Sequence, residues 1–179
     1  MRQFFFLLFT ANAYLLFAQE NNTGIPIPMK NGIIYYETTV LLKKSSAGTN
    51  FYAQAREWLQ QTFPEAKQKV AVDIAAGQMM TKADFKIITD AAVGHYYWMR
   101  PSVVLSMSGD SCTLKLFSYY EKPIMPGVTN DYSKIEYRWW DFRKGKPWNK
   151  EDTALFKGID QQSVGFIESF QKKFKADAN

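Results

Sequence analysis

The sequence predicts an α+β domain in which two helices cover one side of an antiparallel sheet. Several segments alternate apolar and polar residues, which is the period of a half-buried strand. Two other segments repeat apolar residues every three or four positions, which is the period of a helix with one buried face. The elements follow the order strand, helix, four antiparallel strands, an additional aromatic strand, helix.

The first strand spans about residues 32–42, and the first helix follows it. Even-numbered residues of the strand, beginning with Ile34, share one face, and odd-numbered residues share the other. Pro64 ends the helix. The apolar stripe of this helix consists of Phe51, Ala55, Trp58, Leu59 and Phe63.

Four further strands are predicted between residues 69 and 120. The third of them contains Pro101, which implies an edge position or a bulge. A hairpin turn at 108–110 joins the last two. The approximate bounds are 69–74, 78–87, 95–107 and 111–120. The residues that we expect to point at the helices include Val40, Val72, Phe85, Leu105 and Leu114.

An aromatic insert at about 122–148 precedes the last helix. Within it, residues 135–142 have the pattern of a sixth strand. Asn149 is expected to cap the final helix, with Asp152 three residues later as in a capping box. The buried stripe of that helix is Leu155, Ile159, Phe166, Phe170 and Phe174, and two glycines, Gly158 and Gly165, weaken it.

The helix at 51–59 has the sequence FYAQAREWL, followed by Phe63 and by strands at 70–74 and 77–81. This combination resembles a family of exported bacterial proteins, mostly from Bacteroidetes, of unknown function. The resemblance covers about residues 33–120 and implies a TBP-like fold, which is a curved antiparallel sheet with two helices on one face. It also implies a periplasmic or extracellular location, and it carries no catalytic residues. The insert departs from the family, whose members usually pass quickly from the last strand to the last helix.

The first eighteen residues have the pattern of a secretory signal peptide. Arg2 supplies a positive start, apolar runs follow, and small residues near Ala18 offer a cleavage site. A cut after Ala13 is the alternative. We therefore predict a protein that is periplasmic or secreted.

The predicted domain organisation follows from this cleavage. Residues 1–18 form the signal peptide, residues 19–31 a flexible or extended leader, and residues 32–176 a single domain. No later apolar run is long enough to span a bilayer, so no membrane insertion is expected after cleavage.

The charge of the chain argues against a nucleic-acid-binding protein. The net charge of +5 falls by one when Arg2 leaves with the signal peptide, and the basic residues are mostly scattered. The basic-aromatic segment 137–144 has side chains that stack on single-stranded nucleic acid. A mild charge and export argue against that reading, so no nucleic-acid partner is expected.

The chemistry-bearing residues suggest no reaction centre. His95 and Cys112 each occur once, and a pair of this kind can act as base and nucleophile. No orienting third residue or family signature accompanies them, and both fall on faces that we assign to the core. One histidine and one cysteine do not supply a zinc site. The lone cysteine also forms no internal disulfide. We predict no catalytic residues, no metal and no cofactor.

Carboxylates supply the alternative hypothesis, a hydrolase of cell-envelope material. Asp84 with Asp90, or Glu136 with Asp141, are the pairs that the fold could bring together. A glycosidase needs two carboxyl groups at a defined separation, which the sequence does not determine. Acids on alternating strands are usually a solvated face.

The sheet face opposite the helices carries more aromatic side chains than a face that meets only water. Aromatic and arginine side chains suit sugar stacking, peptide docking or a protein interface. Three occupants remain open: the aromatic insert itself, a homodimer or other protein partner, and a small ligand. The candidate ligand-binding residues of this face are Tyr35, Trp98, Arg100, Lys115, Phe117 and Tyr119.

The leading hypothesis is an exported, non-enzymatic interaction module that binds an envelope protein or glycan through this face. The runner-up is the hydrolase, and a structural envelope component is the third. Intramolecular cover of the face would come from Tyr137, Trp139, Trp140 and Trp148.

Overall fold

The computed structural model describes residues 27–46, 50–63, 71–73, 77–129, 131–138 and 149–176. The predicted signal peptide and most of the leader lie outside these ranges. So do Asp141 and three tryptophans of the insert, Trp139, Trp140 and Trp148. In the part of the chain that is described, no helix has both the length and the hydropathy needed to cross a membrane.

The described residues form an antiparallel sheet of eight strands. The strands are β1 (Met29–Lys30), β2 (Ile33–Leu41), β3 (Ala71–Asp73), β4 (Gln78–Lys82), β5 (Phe85–Asp90), β6 (His95–Ser108), β7 (Ser111–Ile124) and β8 (Ser133–Lys134). Their order across the sheet is β1-β2-β7-β6-β4-β3, with β5 paired to β6 and β8 paired to β7. The long strands β6 and β7 are therefore central.

Two helices cover one face of this sheet, as predicted. They are α1 (Asn50–Thr62) and α2 (Lys150–Phe174), and a 3-10 turn at Lys44–Ser46 precedes α1. The helices meet where Trp58 stacks on Phe166 with ring centroids 4.8 Å apart, and Trp58 Nε1–H donates to Ser169 Oγ at 3.0 Å. Tyr36 of β2 donates to Asp160 of α2 at 2.8 Å. The α+β architecture is therefore confirmed.

Helix α2 begins at the predicted cap. The Asn149 side chain accepts from the backbone N–H of Asp152, and the Asp152 side chain accepts from the backbone N–H of Asn149, which completes a capping box. Further along, α2 lies so close to β5 that a Cβ at Gly158 would collide with the side chain of Ile87. Gly165 faces open space instead.

The sheet begins earlier than residue 32. Asn31 and Gly32 both have positive φ, 53° and 76°, which is the backbone of a two-residue turn joining β1 to β2. Ile27 is 1% exposed and belongs to the core. The last residues of the predicted leader therefore pack as part of the domain.

Backbone hydrogen bonds near the end of α2 connect the chain back to β2. Lys43 N–H donates to Phe174 O at 3.0 Å, and Ala176 N–H donates to Leu41 O at 2.7 Å. Leu42 and Lys175 form an antiparallel bridge between these two bonds. The end of β2 is thus closed by residues more than 130 positions later in the sequence.

A β-bulge in β7 changes which side chains face the helices. Ser102 pairs with Phe117 and Arg100 pairs with Tyr120, so two residues of β7 stand opposite the single residue Pro101. The extra residue is Ser118, whose φ is 55°.

Tyr119 consequently lies beneath α2, fully buried, with its hydroxyl 2.8 Å from Ser163 Oγ. The prediction that Tyr119 belongs to the opposite face is wrong. The physical reason is that one inserted residue inverts the alternation of β7 beyond Ser118.

Pro101 explains the position of this irregularity. It lies in a central strand, so the bulge that the sequence predicted as one of two options is confirmed and the edge position is wrong. On the other side of β6, the predicted strand 78–87 is interrupted between β4 and β5. Ala83 N–H there donates to Pro101 O at 3.2 Å, whereas Pro101 has no N–H to return.

Ser118 should be sensitive to side chains that disfavour positive φ. We expect Ser118→Val to lower the free energy of unfolding by about 1 kcal/mol, because β-branched residues are strained in the left-handed region. Ser118→Gly should leave stability unchanged or raise it slightly. Urea denaturation measures both. Ser106→Val, on the regular part of β6, is the matched control, and an equal loss there would contradict a strained Ser118.

The predicted sixth strand at 135–142 is also wrong in its described part. Only Ser133 and Lys134 pair with β7, and residues 136–138 are helical. Ile135 is buried, and its N–H donates to Tyr119 O at 3.1 Å. The residue that follows β8 therefore packs in the core, bonded to the backbone of Tyr119.

Candidate binding face of the sheet

We call the side of the sheet away from α1 and α2 the open face. Its side chains form rows across neighbouring strands, because directly paired residues point to the same side. Three rows are rich in rings and lysines, and we call them the aromatic half. They are Lys86–Trp98–Lys122, Arg100–Tyr120–Lys134 and Lys82–Ser102–Phe117–Tyr35.

The other end of the open face is small and polar. Thr39 and Thr113 pair there, with their hydroxyl oxygens 2.8 Å apart. Between the two ends lies the row Met80–Val104–Lys115–Glu37. The aromatic side chains are therefore concentrated on one half of the face.

Five of the six predicted ligand-binding residues lie on the open face and are half-buried. They are Tyr35, Trp98, Arg100, Lys115 and Phe117. Tyr119 is the exception, and Tyr120 takes its place beyond the bulge. The sequence interpretation did not select Tyr96, Tyr120, Tyr132, Lys82, Lys86 or Lys122. Tyr96 and Lys86 follow from simple alternation, whereas Tyr120 and Lys122 require knowledge of the bulge.

Trp98 stands in the middle of the first row. Its ring makes an edge contact with Tyr96, with centroids 6.1 Å apart. Lys86 places its Nζ 4.4 Å from the centre of the Tyr96 ring. Lys122, on the other side of Trp98, is 5.8 Å from the Tyr132 ring. The indole thus lies between two ammonium groups.

Arg100 is held in place rather than free. Its Nε donates to Asp84 Oδ1 at 2.6 Å and its Nη2 donates to Oδ2 at 3.1 Å. The hydrogen bond to Asp84 raises the pKa of Arg100. The ring of Tyr132 covers the guanidinium at 4.1 Å. Tyr132 of the insert therefore covers the Arg100–Asp84 pair, although it is not one of the residues that were expected to cover this face.

A second aromatic pair lies at the edge of the aromatic half. Tyr35 and Phe117 have ring centroids 6.4 Å apart. The Tyr35 hydroxyl donates to Glu37 at 2.6 Å, and Lys30 lies 4.6 Å from the Tyr35 ring. Burial, together with the hydrogen bond to Glu37, raises the pKa of Tyr35 to about 12.

The positive charge of this face is largely uncompensated. Lys82, Lys86 and Lys122 each lie over a tyrosine ring, and none forms an ion pair with a carboxylate of the described residues. Cation–π contacts stabilise an ammonium group without cancelling its charge. The aromatic half therefore presents half-buried rings and net positive charge together.

A groove adjoins the open face where the bulge separates β2 from β8. Its volume is about 500 Å³. Tyr137 lines it and is 64% exposed, so this ring of the insert does not fold over the open face. The other lining residues are Ile33, Ser118, Lys134 and Glu136. Lys134 also ends the second row, so it joins the groove to the aromatic half.

His95 and Cys112, the pair considered for a nucleophilic site, lie far apart in the sheet. His95 starts β6, whereas Cys112 pairs with Met107 near the other end of that strand. Met107 follows His95 by twelve residues, which is about 40 Å along a strand. Burial raises the pKa of the Cys112 thiol to about 12. These two residues form no dyad.

Acidic residues are also engaged elsewhere. Asp84 is bound by Arg100, and Asp90 accepts from the backbone N–H of Ala92 at 2.9 Å. Within the described ranges, no group of three histidine, cysteine, aspartate or glutamate side chains is close enough to hold a metal ion.

Arg138, a described residue of the basic-aromatic segment, is the centre of a largely buried hydrogen-bond network. Arg138 Nε donates to Glu121 Oε2 at 2.6 Å, Nη1 to Asp152 Oδ1 at 2.5 Å and Nη2 to the Tyr97 hydroxyl at 2.8 Å. The side chains of Arg138 and Glu121 are 26% and 7% exposed. Burial raises the pKa of Glu121, against the opposing effect of Arg138. Arg138 thus joins the insert to β6, β7 and the first turn of α2.

Comparison with solved structures confirms the predicted fold. A TBP-like protein from Parabacteroides distasonis is similar over 82% of this chain and 98% of its own, with a TM-score of 0.56 and 11% identity. A DUF4468 family protein from Bacteroides ovatus is similar over 89% and 97%, with a TM-score of 0.64 and 12% identity. No family profile and no curated protein matches the sequence significantly. The fold is therefore TBP-like and is shared with a bacterial family of unknown function, and identities this low establish the fold alone.

Proposed function

We propose that this chain is an exported, non-enzymatic interaction module that binds a protein or glycan of the cell envelope through the aromatic half of the open face. Export is supported by the pattern of residues 1–18. The observation that carries the proposal is the alternation of half-exposed rings with uncompensated lysines where a solvated sheet would be polar.

Such a face gains free energy when a partner covers it. Trp98, Phe117 and Tyr35 keep part of their ring surface in contact with water. Covering apolar ring surface is favourable, and aromatic side chains dominate the binding energy of many interfaces. The surrounding lysines set the orientation and the rate of encounter of a charged partner.

The state of the acidic residues favours binding over hydrolysis. A glycosidase needs one carboxyl group as acid and another as base or nucleophile. Asp84 is neutralised by Arg100 and covered by Tyr132, and Glu37 accepts from the Tyr35 hydroxyl. These contacts hold both carboxylates in structural roles on the open face.

Paired substitutions on the two halves of the face test the proposal. We expect Trp98→Ala with Phe117→Ala to lower affinity at least tenfold, which is about 1.4 kcal/mol, because both rings lose their contact with the partner. Binding is measured on arrays of neutral glycans, acidic glycans and peptides, and circular dichroism verifies folding.

The matched control is Thr39→Val with Thr113→Val on the polar half, which keeps the shape of both side chains. Removing both hydroxyls of one hydrogen bond together should leave stability and affinity nearly unchanged. Equal binding by the wild type and both variants, or no binding by the wild type on any array, would contradict the proposal.

A further inference from the structure

We infer that the partner is an acidic polysaccharide, whose sugar rings stack on the aromatic half and whose carboxylate or sulfate groups pair with its lysines. This inference rests on the proposed function and names the chemical class of the ligand. It follows from the charge of the rows, from their spacing and from the pairing of the central strands.

Charge complementarity selects an anionic ligand. Lys86 and Lys122 flank Trp98 on both sides, and Lys82 lies 5.6 Å from the Tyr120 ring. None of the three pairs with a carboxylate of the described residues. A second copy of the chain would bring the same lysines to a symmetric contact, where like charges repel. The complementary occupant therefore differs from the chain itself.

The spacing of the rows suits a ligand that alternates apolar surface with charge. Neighbouring strands lie about 4.8 Å apart, so the backbone positions of Lys86, Trp98 and Lys122 follow one another at that interval and place a lysine on each side of the indole. A sugar ring offers an apolar C–H surface for the indole, and its acidic substituents project from the ring edge. One acidic polysaccharide chain thus satisfies both kinds of group in one row.

A peptide fits this face less well. Strands β6 and β7 are hydrogen-bonded on both sides at the aromatic half, so a peptide cannot add to them as a further strand. Its backbone N–H and C=O groups would then lie over aromatic rings without partners. The hydroxyl groups of a polysaccharide remain at its solvent-facing edge and stay hydrated.

Nucleic acid is disfavoured by the kind of cation that is free. Arginine binds phosphate in a bidentate manner, but Arg100 on this face is already bound by Asp84 and covered by Tyr132. Arg138 is held by Glu121 and Asp152. Among the described residues of this face, the cations without a carboxylate partner are lysines, which pair with a carboxylate or sulfate as point charges.

The groove beside the bulge extends the same chemistry. Tyr137 and Lys134 line it together, which repeats the pairing of ring and ammonium group seen around Trp98. Glu136 on the same lining offers an acceptor for sugar hydroxyls. Because Lys134 belongs to both regions, one chain that crosses the second row reaches the groove.

Fluorine NMR of protein labelled with fluorotryptophan tests the inference. Trp98→Phe assigns the Trp98 signal. The probes are polygalacturonate and dextran sulfate as acidic polysaccharides, dextran as a neutral one, poly-glutamate as an acidic peptide, and single-stranded DNA. We expect the two acidic polysaccharides to shift the Trp98 signal at the lowest concentration, with affinity that falls as salt is added.

Charge-removing variants complete the design. Lys86→Gln with Lys122→Gln should weaken polygalacturonate binding about tenfold, since two charge contacts are lost. The matched control is Lys157→Gln with Lys173→Gln, which removes the same charge from exposed positions of α2 on the other side of the domain. That control should bind as the wild type does.

The outcomes distinguish this inference from the proposed function. Tighter binding of poly-glutamate, DNA or dextran at Trp98 would overturn the acidic polysaccharide and leave the binding face in place. The inference would also be overturned if the Lys86→Gln/Lys122→Gln variant bound polygalacturonate as tightly as the Lys157→Gln/Lys173→Gln control. If no probe moves the Trp98 signal and the arrays are also blank, both the inference and the proposed function fail.

Discussion

Replacing Arg138 with methionine should lower the free energy of unfolding by about 3 kcal/mol at neutral pH. The guanidinium makes three hydrogen bonds, to Glu121, Asp152 and Tyr97, from three different elements. Without it, the Glu121 carboxylate stays buried with no counter-charge. Removing one partner of a buried pair costs far more than the pair itself contributes, because the remaining charge has lost its hydration.

The loss should depend on pH in a defined direction. Burial raises the pKa of Glu121 above its ordinary 4.5, while Arg138 acts to lower it, so the variant should have a still higher pKa. A carboxyl group whose pKa is higher in the folded state binds its proton more tightly there, so folding is favoured as the pH falls. The difference in the free energy of unfolding between the wild type and Arg138→Met should therefore become smaller as the pH falls from neutral towards 4.5. Urea denaturation across this range measures it.

Two controls separate the network from simple loss of charge. Arg138→Met combined with Glu121→Leu removes both charges and should restore most of the stability. Arg56→Met removes an exposed arginine from α1 and should change stability by less than about 0.5 kcal/mol. A deficit that is the same at every pH, or that persists in the double variant, would show that the buried Glu121 charge is not its cause.

Gly158→Ala should destabilise the domain by about 2 kcal/mol, although alanine is the better helix former. A methyl group at this position meets the side chain of Ile87, so α2 has to move away from β5. Overpacking of this kind costs about 1–3 kcal/mol and outweighs the gain of up to about 1 kcal/mol in helix propensity.

Gly165→Ala is the matched control on the same helix. Its Cβ meets nothing within 4 Å, so helix propensity alone should act and the melting temperature should rise. Differential scanning calorimetry on both variants measures the contrast. If Gly158→Ala were more stable than the wild type, the space between α2 and the Ile87 side chain of β5 would have to be wide enough for a methyl group. Ile87→Ala should cost less stability in the Gly158→Ala background than in the wild type, because the added methyl group fills part of the space that the smaller side chain leaves.

The sequence predicts the layers of this fold better than its register. Alternation locates the faces of β2 and β6, and the apolar stripe locates α1, because both patterns are long and regular. Asn149 and Asp152 predict the start of α2, because capping is a local interaction. The bulge at Ser118 is different, because it depends on Pro101 in a neighbouring strand.

In the candidate site, too, residues in regular strands could be predicted, whereas residues beyond the bulge or in a loop could not. Tyr35, Trp98 and Phe117 precede any irregularity in their strands, so counting by twos places them correctly. Tyr119 and Tyr120 are adjacent tyrosines, and either choice of register puts one ring in the core and one on the open face. Tyr132 comes from a loop, where no period exists to predict that it covers Arg100.

The backbone bonds between residues 41–43 and 174–176 have a consequence for biosynthesis. A ribosome has to extend the polypeptide through Ala176 before the rim of β2 can acquire these bonds, so shorter nascent chains lack them. Native contacts between distant positions also slow folding, since their loop must close first. In the exported precursor that we propose, slow folding of this kind would favour passage of an unfolded polypeptide through a secretion channel.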